Sequence, residues 1–158
     1  DAAQDGIVAD ATVPGAAAVW VRGADLVRVE SLRLTSTGGP AVRANAGELS
    51  LVLVTLEGPF VLSDGANVQL FGVTQFPAVP ANRIDGAADV RLGAGPVPSG
   101  PTPSSVGGMT IGNFSTLATG GTSQINGDLV CSQGGNAFCG NPAVNVTGTS
   151  NCALCPKP

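Results

Sequence analysis

The feature that most constrains the fold is a short apolar pattern that keeps returning along the chain: apolar, any, apolar, two residues, apolar. It appears as Val27-x-Val29-x-x-Leu32-x-Leu34, as Leu49-x-Leu51-x-x-Val54-x-Leu56 and as Val68-x-Leu70-x-x-Val73-x-x-Phe76. A fourth copy begins Val90-x-Leu92, a fifth is Met109-x-Ile111-x-x-Phe114-x-x-Leu117, and a sixth starts at Leu129-x-Cys131. Ile7-x-Ala9 holds the matching place before the first. The starts at 7, 27, 49, 68, 90, 109 and 129 lie 20, 22, 19, 22, 19 and 20 residues apart. Apolar side chains two apart face one side of a strand, and the extra residue in mid-pattern marks a bend. One coil cannot bury its own apolar row; stacked coils can, each backbone hydrogen-bonding to the next.

The punctuation repeats as well. Asp64-Gly65-Ala66-Asn67, Asp85-Gly86-Ala87-Ala88-Asp89 and Asn126-Gly127-Asp128 each precede a copy, and these residue types tolerate the positive φ of a sharp corner. Gly39-Pro40, Gly58-Pro59 and Val79-Pro80 follow copies, and Pro belongs at a corner because it cannot donate to a ladder. The pattern predicts an all-β, single-stranded parallel β-helix (a β-solenoid) of about six to seven coils of 19–22 residues, with a disulfide-bonded C-terminal segment. An antiparallel β-sandwich is the competing reading, since it also alternates strands and turns.

Corners such as Gly65-Ala66-Asn67-Val68, followed by the apolar pattern, resemble the right-handed parallel β-helix family of pectate-lyase-like surface proteins. The resemblance implies a fold and no particular function. That family often stacks an Asn ladder at the bend; the bend positions here, Ser31, Leu53, Gly72, Ala94 and Asn113, break such a ladder.

Composition agrees with short strands. Of the 158 residues 43% are hydrophobic but only 4% aromatic, so the core is built from Val, Leu, Ile and Ala, and 23 Gly and 12 Pro supply turns. The array is expected over residues 1–130, with a Pro-rich excursion at 95–105, and a Cys-containing coil or cap over 131–158. A net charge of −4 gives no footprint for nucleic acid, and no apolar run approaches a membrane span. The start, Asp1-Ala2-Ala3, reads as a mature terminus left by a removed leader.

Cys131, Cys139, Cys152 and Cys155 cluster at one end, which points to disulfides in an oxidising, extracellular compartment. The separation of 131 and 152 is about one coil, favouring pairs 131–152 and 139–155. A four-thiolate zinc site is the alternative, weakened by the seven residues between Cys131 and Cys139.

The chain has no His, which removes the commonest general base, and no nucleophile elbow. No enzyme activity, cofactor or metal is expected. Asp85 and Asp89 with Arg83 and Arg91 form the densest charged cluster, although Asp at such corners serves turns first. Arg28, Ser50, Gln69, Arg91 and Thr110 are expected to form one outward row. Trp20 is the only Trp; Val19-Trp20-Val21 reads as a strand with Trp20 in the core or an interface, and otherwise as a platform for sugar stacking. The candidate binding face is thus Trp20, Arg28, Gln69, Arg91, Asp85 and Asp89. Asn113-Phe114-Ser115 and Asn145-Val146-Thr147 are sequons that chance alone explains. The expected function is an extracellular structural subunit that self-assembles head to tail into a fibre, or else a monomeric adhesin that binds surface glycans.

Overall fold

The structure is a computed structural model that describes residues 6–9, 16–23, 25–76, 82–93, 103–120, 122–139 and 144–152. Every regular element among them is a strand, and every pairing is parallel, so the antiparallel sandwich is excluded. The chain winds into a parallel β-solenoid of about five turns. Three ladders of strands run along it.

The first face stacks β1 (Gly6–Ala9), β4 (Arg33–Ser36), β7 (Thr55–Glu57), β10 (Thr74–Gln75), the start of β13 (Ser105–Ile111), the start of β15 (Gln124–Cys131) and β17 (Asn145–Val146). The second stacks β2 (Val19–Arg22), β5 (Val42–Asn45), β8 (Phe60–Ser63), β11 (Asn82–Ile84) and the ends of β13 and β15. The third stacks β3 (Val27–Glu30), β6 (Glu48–Val52), β9 (Asn67–Phe71), β12 (Asp89–Leu92), β14 (Thr116–Thr119) and β16 (Asn136–Cys139).

Alternation does the sorting. On the third face Leu49, Val68, Val90, Leu117 and Ala137 point inward and are buried, directly above one another. On the first face Leu34 stacks on Leu56, and Val106, Ile125 and Val146 stack in turn, all buried, with Gln75 on the rung between the two groups. Val27, Leu49, Val68 and Val90 stack with spacings of 22, 19 and 22, as the repeat predicts. The next rung corrects the repeat. Val90 stacks under Leu117, 27 residues on, because the coil crossing the Pro-rich stretch is longer. Met109 and Leu129 belong to the second face, and Ile7 to the first. The offsets from Ile7 to Val27 and from Val90 to Met109 therefore cross from one face to another, while Met109 and Leu129 stack directly, 20 residues apart.

The corner between the second and third faces is set by paired left-handed residues: Ala46-Gly47, Asp64-Gly65, Gly86-Ala87, Asn113-Phe114 and Gln133-Gly134 all have positive φ. Such a pair reverses the chain most tightly. Just inside this corner stand Ala66, Ala88 and Ser115, all buried. Gly135 takes the equivalent place above Ser115 and has no room for more, since a Cβ there would lie 2.2 Å from the Ile111 carbonyl oxygen. The bend from the third face to the first uses a single left-handed residue, Ser31, Leu53, Gly72 or Gly93. Asn113 lies on the other corner, and Ala94 falls outside the described residues.

Cys131 and Cys152 form a disulfide with Cα atoms 5.1 Å apart, tying successive turns at the C-terminal end. The second expected pair, Cys139 with Cys155, involves a residue outside the described ones. Among the described residues no group of ligating side chains is arranged to hold a metal. No described helix is long and apolar enough to cross a membrane.

Candidate functional site

Among the described residues a surface depression lies on the outward side of the second face. Because outward residues stack rung on rung, one row runs Trp20, Arg43, Val61, Arg83, Thr110, Val130, and a second starts Arg22, Asn45, Ser63. Thr110 therefore stands above Arg83 on this face. It is not in the row of Arg28, Ser50, Gln69 and Arg91, which continues on the third face to Ala118.

Short side chains between long ones leave a depression of about 210 Å³, lined by Arg83, Asp85, Thr110, Ser132 and Gln133, with Gly112 in its lining. Asp85 is its best-held group. Arg83 Nε donates to Asp85 Oδ2 at 3.0 Å, Asn113 Nδ2 donates to Oδ1, and the Gly86 N–H donates to Oδ1 at 2.9 Å. The Arg83 guanidinium, chiefly, and then the Asn113 amide hold this carboxyl below the usual carboxylate range. Asp64, one rung lower, is lowered by the hydrogen bonds of Asn45 first and Ser63 second. Depressed values of this kind keep both acids ionised. They suit hydrogen-bond acceptance and not proton donation.

Asp89 stands apart from Asp85, on the third face beyond the Gly86-Ala87 corner, and accepts from Thr116 Oγ1 at 2.7 Å. The charged cluster seen in the sequence is thus divided: Arg83 and Asp85 on one face, Asp89 and Arg91 on the next. The six candidate binding residues divide the same way, Trp20 and Asp85 on the second face, Arg28, Gln69, Asp89 and Arg91 on the third.

Trp20 lies outside the core, 44% exposed. Its Nε1–H donates to Asn45 Oδ1 at 2.9 Å, and the Arg22 guanidinium carbon sits 3.5 Å from the ring centroid. Arg43 approaches to 5.1 Å. A ring face covered by guanidinium is not open to a sugar. Of the two sequons, Asn113-Phe114-Ser115 is committed to structure, since Ser115 is fully buried and Asn113 is bonded to Asp85.

Sequence reasoning missed Arg22, Arg43 and Asn45 as partners of Trp20. The signal was present as the 23-residue offset from Trp20-x-Arg22 to Arg43-x-Asn45, but it emerges only once the rungs are in register. Comparison with known protein families, curated proteins and solved structures finds no match. The likeness to pectate-lyase-like β-helices is therefore one of solenoid architecture alone.

Proposed function

We propose that this chain is an extracellular structural subunit that stacks end to end into a fibre. The observation that carries the reading is the pairing at the two ends. Among the described residues β1, β2 and β3 each pair on one side only, with β4, β5 and β6. At the other end, among the described residues, β16 and β17 pair only with β14 and β15. A parallel ladder repeats by translation along its axis, so the edge at one end offers the donors and acceptors that the other end lacks. A head-to-tail contact of this kind does not close and yields filaments.

The apolar interior supports the same reading. Val29 is 9% exposed where Leu51 and Leu70 above it are buried almost completely, and Leu26, at the start of the first complete turn, is 63% exposed. The Cys131–Cys152 disulfide suits an oxidising, extracellular-type environment. Negative-stain electron microscopy and sedimentation of the purified full chain test the proposal. Filaments that vanish in Val27→Lys/Val29→Lys, with the β-rich circular dichroism retained, are expected. A wild-type chain that stays monomeric at millimolar concentration overturns it.

A second reading, a glycan-binding module, is favoured by the depression beside Asp85, where an ionised carboxylate and the side chains of Thr110, Ser132 and Gln133 face one hollow. Loss of glycan-array signal in Asp85→Ala would support it, and an array without hits would remove it.

A further inference from the structure

We propose that Trp20, Arg22 and Arg43 form a binding site for an oxyanion of the sulfate or carboxylate type, either free or borne on a polymer. Three of the arginines have an acid of their own: Arg28 pairs with Glu30, Arg33 with Glu57 and Arg83 with Asp85. Arg22 and Arg43 have none among the described residues, yet they converge on one indole from adjacent rungs, at 3.5 Å and 5.1 Å from its centroid. Adjacent rungs are about 4.8 Å apart, a span that one anion with several oxygens bridges.

The geometry leaves the right atoms free. A guanidinium stacked on a ring uses its face, while its five N–H donors lie in the plane and remain available to a bidentate acceptor. Arg43 Nε is buried without a hydrogen-bond partner, the kind of orphaned donor that native structures normally satisfy. Asp64 accepts from Asn45 and Ser63, and among the described residues no ion pair joins it to Arg22 or Arg43. Asn45 meanwhile fixes the indole through Nε1, which holds the platform on which the guanidinium groups rest. Bidentate pairing of guanidinium with such anions is the strong form of charge-assisted hydrogen bond.

Trp20 is the only Trp, so intrinsic fluorescence reports this site alone. The full chain is titrated with sodium sulfate against sodium chloride at equal ionic strength, and with dextran sulfate against neutral dextran. A saturable change with free sulfate that chloride does not match supports a site for the small anion. Saturation with dextran sulfate alone supports a site for polymer-borne oxyanions held at several points. Either response should weaken at least tenfold in Arg43→Gln and in Arg22→Gln and persist in Arg33→Gln. The exposed position of Arg22 keeps the test valid if Arg43→Gln fails to fold. Equal responses to sulfate and chloride, and to the charged and neutral dextrans, overturn the proposal.

Discussion

Gln75 and Asn82 face each other inside the solenoid as a reciprocal amide pair, each side-chain N–H₂ donating to the other's oxygen at 2.9 Å. Both stand at positions that are apolar in the neighbouring rungs. Gln75 stacks on Leu56, while Asn82 lies in the row of Phe60 and Met109. Residues 77–81, which separate them in sequence, lie outside the described residues, and the pair joins the turns on either side. Gln75 donates to the Gly58 carbonyl and accepts from the Gly107 N–H, and Asn82 accepts from the Phe60 N–H and donates to the Gly107 and Gly108 carbonyls.

Asn82→Leu should therefore destabilise the fold by about 2–4 kcal/mol, because it strands several buried donors and acceptors at once. Gln75→Leu/Asn82→Leu should cost less than the sum of the two single changes. Urea denaturation of the four proteins checks this, and strict additivity would show that the pair does not act as a unit.

This pair marks where reading the sequence runs out. The rungs at Val27, Leu49, Val68 and Val90 are legible because alternation and bend recur with nothing inserted. Gln75 and Asn82 beside a Pro-containing stretch look like turn residues, and only three-dimensional register reveals them as core. Beyond Leu92 the same apolar pattern fits two faces, so Met109 satisfies it while Leu117 is the true successor of Val90. The candidate site suffers similarly. Trp20 stands out by composition, but its guanidinium neighbour from β5 depends on a register that spacing alone leaves open by a residue or two.

The Cys131–Cys152 bond closes a loop of sequence separation 21 and ties the last turn to the one beneath it. The chain-entropy relation gives about 3 kcal/mol for a loop of that size. Cys131→Ser/Cys152→Ser should lower global stability by roughly that amount. Hydrogen exchange at Val146 and Asn151 should accelerate well before exchange at Leu51 or Leu70, which lie in central rungs. Uniform acceleration along the chain would contradict a local staple.

Acid should act through Asp64 and Asp85. Both carboxyls are held below their ordinary value when folded, so their contribution is fully present above the unfolded value of about 3.9. It fades as pH falls through the lower folded values. Arg83→Met removes the largest cause at Asp85, so the Asp85 titration should move up towards the ordinary range and the acid-unfolding midpoint should rise with it. Carboxyl NMR titration reads the first and circular dichroism the second. An Asp85 titration unmoved by Arg83→Met would assign the shift to Asn113 and the Gly86 N–H instead.

Leu53 carries a strain that substitution should release. Its φ of 54° is left-handed, as are those of Ser31 and Gly72 in the rungs on either side, and the bend needs that conformation whatever residue fills it. The Leu53 N–H donates to the Phe71 carbonyl at 2.8 Å, so the backbone is held there. The left-handed region costs an L-residue about 1–2 kcal/mol, and Asn pays less of it than Leu. With Leu53 55% exposed, little burial is given up in exchange. Leu53→Asn should therefore stabilise the protein by about 0.5–1 kcal/mol. Gly72→Ala, at a φ of 61°, should destabilise it by about 1–2 kcal/mol. Opposite shifts in the urea midpoint at unchanged slope are the expected result. A destabilised Leu53→Asn would mean that the leucine is retained for a contact its side chain makes at the corner.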